Sequence, residues 1–166
     1  MIKSYATFDG LAKYLQCYLF QAQADLLAAV TESAQLLEDK AKEKFGVYQD
    51  SEGTYPAWAQ LKEATQRERV RQGYTANEPL LRDGTLKDSI HYSVTKLPKV
   101  VEAVVGTNNK IMVYQEMGTK DIPPRPVLGP TAYENAPLVL SIIENKTIKK
   151  LGITPRKRSP KSELPV

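Results

Sequence analysis

The longest run of regularly spaced apolar positions lies near the N-terminus and predicts one long helix over residues 10 to 45. No proline interrupts this segment, and Asp9 is a candidate cap at its start. Apolar and small side chains recur at steps of three and four, at Leu11, Tyr14, Leu15, Tyr18, Leu19, Ala22, Leu26, Ala29, Ser33, Leu36 and Leu37. Such a helix would be about 50 Å long, more than a domain of this size needs. Its stripe therefore packs either across a sheet of the same chain or against a neighbouring subunit.

Breakers divide the next part of the chain. Glycine and proline predict a loop over residues 46–57, and asparagine and proline predict another over 74–80. Between them, Trp58 and Leu61 lead into a highly charged segment whose helix-forming residues end at Gly73. These two polar loops are candidates for segments that become ordered when a partner binds.

The pattern then changes from helical spacing to alternation. A helical turn through Leu86 and Ile90 precedes a predicted strand from about residue 91 to 97. Proline breaks that strand, and the valine-rich residues 100–106 are predicted to be its hairpin partner. A third element, strand or short helix, begins at Ile111.

Prolines and glycines between residues 118 and 130 exclude a long helix or a central strand there. A second helix is predicted from about Thr131 to Leu151, and it is expected to begin fully only after Pro137. The sequence therefore predicts one α+β domain over residues 1–151. In it, a long N-terminal helix and a C-terminal helix pack on a small antiparallel sheet, with a proline-rich loop between sheet and helix.

Residues 152–166 are predicted to be a disordered basic tail. Most of the net charge of +4 lies there, at Arg156, Lys157, Arg158 and Lys161. Two interpretations stay open: a solvated tail that keeps the protein soluble, or a contact with nucleic acid or an acidic partner surface.

Composition places the chain among ordinary globular proteins, with 42% hydrophobic and 25% charged residues. A single cysteine, Cys17, cannot form an intramolecular disulfide, which fits synthesis in a reducing cytoplasm. The sequence contains no apolar run near the roughly 20 residues that span a bilayer and no secretory signal, so no membrane partner is expected.

Candidate chemistry is sparse. His91 is the only histidine, and Cys17 is expected to be packed on the apolar side of the long helix, so a Cys17–His91 dyad is only formally available. Acidic residues lack calcium-loop spacing and no glycine-rich phosphate loop occurs, so neither an enzyme nor a cofactor is expected. Arg67, Arg69 and Arg71 alternate with glutamate, which favours a solvated helix over a nucleic-acid surface.

The most specific signal is the run YQEMGTKDIPPRPVLGPT over residues 114–131. It resembles a pattern of phage neck and tail-completion proteins, which is related to that of the virion-morphogenesis proteins of Mu-like phages. The run supplies two motifs, its first and second halves, and two upstream segments agree in order, which makes four. The residues that carry the resemblance are Trp58, Leu61, Thr65, Leu80, Arg82, Gly84, Leu86, Ser89, Ile90, Glu116, Gly118, Thr119, Pro123, Arg125, Pro126 and Pro130. Val127, where the family often has an aromatic residue, and Gly129, often basic, depart from the pattern.

The resemblance implies a non-enzymatic structural subunit that completes the tail or joins head to tail in a long-tailed phage. It would be made in the host bacterial cytoplasm and act in the virion as a ring, expected to be a hexamer, beside the head-connector and tail-terminator or tail-tube proteins. The subunit-interface candidates are Glu116, Gly118, Thr119, Pro123, Pro124, Arg125 and Pro126.

Two alternatives accompany this expectation. The proline-rich segment could instead be a rigid crossover inside the monomer, with Arg125 paired in its own chain. The protein could also be a basic nucleic-acid-binding accessory protein that uses the 67–71 arginines and the tail. Under the leading hypothesis, no nucleic acid is expected as a partner beyond contact with DNA that passes through the ring.

Overall fold

The computed structural model describes residues 7–98 and 100–148. Its elements, in chain order, are α1 (Phe8–Glu43), α2 (Glu63–Arg71), α3 (Thr85–Asp88), β1 (His91–Lys96), β2 (Val101–Gly106), α4 (Lys110–Met117) and α5 (Leu128–Ile143), and α5 continues into a π-helical segment (Glu144–Ile148). The predicted α+β class is confirmed. The predicted end of the second helix at Leu151 and the basic tail lie outside the described residues.

The N-cap of helix α1 is Thr7, whereas the sequence predicted Asp9. The backbone of Thr7 is extended, and its side-chain oxygen accepts a hydrogen bond from the Gly10 amide at 3.2 Å. Asp9 already lies in the first turn, where its carboxylate pairs with Lys13 at 2.8 Å. After the helix, Gly46 adopts a left-handed φ of 90°, as expected for a glycine that follows a last turn.

The body of the protein packs on only the C-terminal half of α1. The buried residues of this helix are Ala29, Ser33, Ala34 and Ala41. Helix α5 runs antiparallel along the same half, since Lys44 pairs with Glu134 and Glu32 pairs with Lys146. The C-terminal helix thus packs mainly on α1, and α1 is the helix that lies against both strands. The first half of α1 extends past this body.

The sheet is an antiparallel hairpin in which His91 pairs with Gly106 and Lys96 pairs with Val101. Glu38 of α1 joins helix to sheet. Its carboxylate accepts hydrogen bonds from the Tyr92 amide at 2.7 Å and from the Lys42 ammonium at 2.6 Å. The helix therefore holds the hairpin at its first strand through a charge-assisted contact.

The structure decides the type of the element after Asn109 and the start of the C-terminal helix. The segment after Asn109 is a helix, α4, because the Asn109 side chain accepts a hydrogen bond from the Ile111 amide at 3.0 Å. Helix α5 begins at Leu128, so the predictions of a start at Thr131 or after Pro137 are wrong. Pro137 lies inside the helix, where it has no N–H to donate to the preceding turn.

The hydrophobic core joins α1 to the irregular segments that follow it. Its buried members are Ala41, Phe45, Trp58, Leu80, Leu86, Ile90, Met112 and Val127. Hydrogen bonds also hold the predicted loops: the Trp58 amide donates to the Gln49 carbonyl at 2.9 Å, and the Tyr48 hydroxyl donates to Asn77 at 2.6 Å. The core thereby fixes the segments that carry the candidate site.

We expect Glu38→Gln to lower the free energy of unfolding by about 1 kcal/mol near neutral pH. The hydrogen bond from Lys42 lowers the pKa of the Glu38 carboxyl, the Tyr92 amide adds to this, and partial burial opposes it. A carboxyl whose folded pKa is depressed stabilises the fold above its unfolded pKa, and this contribution is lost as the pH falls through the folded pKa. The difference between wild type and variant should therefore shrink in urea titrations taken from neutral to acid pH.

The neighbouring exposed residue Asp39 supplies the control, since Asp39→Asn should change stability little at either pH. A Glu38→Gln difference that stays constant across the titration would contradict this role for the charge.

Candidate functional site: an internal tie and an arginine-lined pocket

Arg125 is buried and held by its own chain. Its side chain is 5% exposed, and its guanidinium donates from Nε and Nη2 to the Ala59 carbonyl oxygen at 3.3 and 2.9 Å. Its backbone amide donates to the Gln115 carbonyl at 2.6 Å. Burial lowers the pKa of Arg125, Tyr48 opposes this, and the nearby charge of Arg69 lowers the pKa further, yet a guanidinium stays protonated.

A second contact joins the same two segments. The Trp58 indole nitrogen donates to the Pro126 carbonyl at 3.1 Å, and the ring is buried in the core. We call this pair of contacts, Trp58 with Pro126 and Arg125 with Ala59, the loop tie. It fixes residues 58–59 against residues 125–126, which are far apart in sequence.

Glu116 caps α5 from the preceding helix. Its Oε2 accepts hydrogen bonds from the amides of Val127 at 2.7 Å and Leu128 at 3.3 Å, and its Oε1 accepts one from the Gly129 amide at 3.0 Å. Pro130 has no N–H, and the Thr131 amide makes the first helical bond, to the Val127 carbonyl. The carboxylate therefore satisfies the free donors of the helix start and interacts favourably with the helix dipole. This explains why α5 begins earlier than the sequence predicted.

A tight turn separates Glu116 from Arg125. Gly118 has a φ of 75°, and a Cβ there would lie 3.0 Å from the backbone nitrogen of Pro124. The Thr119 amide donates to the Ile122 carbonyl at 2.8 Å, and the Thr119 hydroxyl accepts from the Ile122 amide at 3.1 Å. Glycine is required here both for the left-handed backbone and for the close approach.

The seven interface candidates therefore divide into three groups. Glu116, Arg125 and Pro126 make contacts inside the chain, so for Arg125 the geometry matches the alternative of an internal crossover. Gly118 shapes the turn. Thr119 and Pro124 are exposed and Pro123 is half-buried, so these remain candidates for a partner contact.

The two departures from the family pattern have physical reasons. Val127 is fully buried in the core, beside Trp58 and Met112. A Cβ on Gly129 would lie 2.6 Å from the Tyr55 hydroxyl oxygen, so no side chain fits without movement of that ring.

A pocket of about 480 Å³ opens beside the loop tie. It lies between α2, α3, α4 and the turn that follows α4. Its charged lining residues are Lys62, Arg69, Arg82, Asp83, Asp121 and Arg125. Arg69 donates to the Glu78 carbonyl at 2.6 Å, and Arg82 lies 5.4 Å from the centre of the Tyr74 ring. Burial, followed by the charge of Arg82, lowers the pKa of Arg69.

The arginines of α2 do not form one surface. Arg69 turns into the pocket, while Arg71 and Arg67 lie in solvent and pair with Glu68 at 2.7 Å and Glu63 at 3.9 Å. The stripe of three arginines considered as a nucleic-acid surface is therefore divided between two directions and partly neutralised.

One acceptor at the pocket is unpaired. The side-chain Oε1 of Gln115, a lining residue, is buried and has no hydrogen-bond partner among residues 7–98 and 100–148. Buried polar atoms without partners are rare in folded proteins, so this oxygen needs an explanation.

The formal Cys17–His91 dyad is not assembled. Cys17 is exposed, contrary to the expectation that it packs, because its half of α1 extends beyond the body. His91 lies next to the strand residue that binds Glu38, and 21 residues of helix separate Glu38 from Cys17, a distance of about 30 Å.

In the described part of the chain, no three histidine, cysteine or acidic side chains cluster as metal ligands. None of the described helices combines the length and apolarity needed to span a bilayer.

Comparisons of this chain with family models, with curated proteins and with solved structures find no match.

We expect Glu116→Ala to lower the free energy of unfolding by about 2–3 kcal/mol, because it removes three charge-assisted hydrogen bonds from the start of α5. Glu116→Gln keeps an oxygen acceptor and should lose about half as much. Urea denaturation followed by circular dichroism measures both.

Glu102→Ala, at an exposed position of β2, is the control and should change stability by less than about 0.5 kcal/mol. Equal stability of Glu116→Ala and the control would show that the cap does not hold α5.

Proposed function

We propose that this chain is a non-enzymatic structural subunit that completes the tail or joins head to tail in a long-tailed phage. The support begins with four motifs that resemble that family in the same order. In the folded chain these motifs meet: Trp58 contacts Pro126, Arg82 and Leu86 line the pocket beside Arg125, and Glu116 caps the final helix. A set of motifs that forms one physical unit is a stronger basis for the resemblance than the same motifs scattered over the surface.

The observation that carries the proposal is the apolar N-terminal half of α1. Phe8, Leu15, Leu19 and Phe20 are 87%, 48%, 61% and 72% exposed, on a helix that continues well beyond the packed body. Large exposed apolar patches on folded proteins mark surfaces that bind other proteins. A subunit that acts by assembly needs such a surface.

The proposed assembly is a ring, a hexamer by the family resemblance, whose subunits make head-to-tail contacts that close. Its neighbours would be the head-connector and tail-terminator or tail-tube proteins, and its place would be the virion. The alternative of a nucleic-acid-binding accessory protein has weaker support, because Arg67 and Arg71 pair with acidic residues of their own helix.

Replacing Leu15 and Leu19 together by glutamine tests the proposal in the phage that encodes the chain. Both side chains are exposed, so circular dichroism and urea stability of the monomer should stay unchanged. The yield of joined particles, counted by electron microscopy against free heads and free tails, should fall at least about tenfold, because an interface depends on a few apolar anchors.

The matched control is Val70→Gln, an exposed apolar position on α2 away from the extended helix. It should leave the yield of joined particles at the wild-type level. Absence of the chain from purified wild-type particles, or normal joining by the double variant, would refute the proposal.

A further inference from the structure

Three guanidinium groups line the arginine pocket. Arg69, Arg82 and Arg125 form no ion pair with any acidic side chain in the part of the chain that the structure describes. The hydrogen bonds of Arg69 and Arg125 go to neutral carbonyl oxygens, those of Glu78 and Ala59, and the Glu78 carboxylate acts on Arg69 without a direct ion pair. Of the three, only Arg125 is buried, while Arg69 is half-buried and Arg82 is exposed. The Ala59 carbonyl accepts two hydrogen bonds from Arg125 but supplies no full negative charge, which the anionic group of a ligand would add.

Neither acidic residue of the lining forms an ion pair with these arginines, although hydrogen bonds from Thr85 and, to a smaller extent, the charge of Arg82 lower the pKa of Asp83. The Asp83 carboxylate accepts hydrogen bonds from the Thr85 amide at 3.1 Å and the Thr85 hydroxyl at 2.6 Å. Asp121 is exposed on the turn after α4. Lys62, also exposed, adds a fourth cation at the edge.

Part of the pocket wall is apolar. Leu61, Leu80, Leu86, Ile111 and Ile122 line it, and its volume lies within the range of sites that hold small ligands or short peptide segments. Leu80 has a φ of 60°, which is rare for a residue other than glycine, and it is held next to the bond between the Gly46 amide and the Pro79 carbonyl. Backbone strain of this kind occurs preferentially at binding sites.

The unpaired oxygen of Gln115 adds a second requirement. It needs a hydrogen-bond donor, whereas the arginines need an acceptor that carries negative charge. A sulfate ion supplies acceptors alone, and a hydrogen phosphate ion supplies an O–H donor but no apolar surface to pack on the leucine and isoleucine side chains. A peptide that contains an acidic residue supplies both a carboxylate and backbone N–H groups.

We propose that this pocket binds a short segment of a partner protein in which an aspartate or glutamate is flanked by apolar residues. The carboxylate binds Arg82 and Arg125, a backbone N–H of the segment donates to Gln115, and the apolar side chains pack on the leucine and isoleucine walls. This site goes beyond the proposed function and does not depend on it, because it specifies the chemistry of a partner and not the identity of the assembly.

Nucleic acid fits the site less well. No aromatic side chain is among the described residues that line the pocket, so bases have no ring to stack on. Apolar walls also oppose a phosphate backbone, which is strongly hydrated.

Nuclear magnetic resonance of ¹⁵N-labelled protein tests the site with defined probes. The probes are the capped peptide acetyl-Leu-Asp-Leu-amide, its asparagine analogue, inorganic phosphate and oligothymidylate, each titrated to millimolar concentration. Trp58 is the only tryptophan, so its indole N–H gives one signal, and this signal lies next to the tie that Arg125 makes with Ala59. We expect saturable shifts with the aspartate peptide and at least about tenfold weaker binding of the asparagine peptide, since a charge-assisted bond contributes at least one power of ten.

Matched variants place the binding in the pocket. Arg82→Gln removes an exposed cation of the lining, and Arg67→Gln removes an exposed cation of α2 outside it. Arg82→Gln should weaken the aspartate peptide at least about fivefold and Arg67→Gln should not. Gln115→Leu, which removes the unpaired acceptor, should also weaken the peptide without loss of stability.

Three results would overturn the inference. The first is equal affinity for the aspartate and asparagine peptides. The second is an equal effect of Arg82→Gln and Arg67→Gln on that affinity. The third is a shift of the Trp58 indole signal with oligothymidylate or phosphate but not with the aspartate peptide. The absence of any saturable shift with the aspartate peptide would overturn it as well. None of these results bears on particle joining, which is measured separately.

Discussion

The structure depends on one buried cation that is satisfied by a backbone carbonyl. Arg125 donates to the Ala59 oxygen while the Trp58 indole donates to the Pro126 oxygen, so two segments distant in sequence are joined by both side chains and both backbones. Removal of either partner would leave a polar group buried without a bond, which costs more than the bond itself contributes. Because the tie fixes residues 125–126, the next residues lie where Glu116 can cap α5, and α5 can then pack along α1.

The residues of the loop tie and the Glu116 cap are engaged inside the chain, so they differ from surface residues that a partner could contact. Most residues of the 114–131 segment that resemble the phage family serve the interior. Two surfaces lie outside it: the apolar first half of α1 and the arginine pocket beside the tie. One is apolar and nearly uncharged, and the other is cationic. The two proposals assign these surfaces to partners of different chemistry, as assembly between two dissimilar neighbours would require.

The sequence predicts elements with strong local signals and misses those set by distant contacts. The period of α1, the alternation of β1 and β2 and the break at Gly73 are local, and they are found where predicted. The start of α5 is not local, because it depends on the carboxylate of Glu116 in another helix. Burial of Arg125 likewise depends on its distant partner Ala59, and exposure of Cys17 depends on which part of α1 the body covers. The pocket could not be predicted either, since Arg69, Arg82 and Gln115 give no sequence signal of their convergence.

Amide hydrogen exchange at the loop tie tests the central claim most directly. If the tie holds the fold together, the indole N–H of Trp58 and the amides of Arg125 and Val127 should exchange only through global unfolding, with protection equal to that of the core. Exchange of these groups at the rate of an unstructured peptide, while the amides of α1 near Ala41 stay protected, would contradict the account. In that case, the 114–131 segment would be a mobile docking loop.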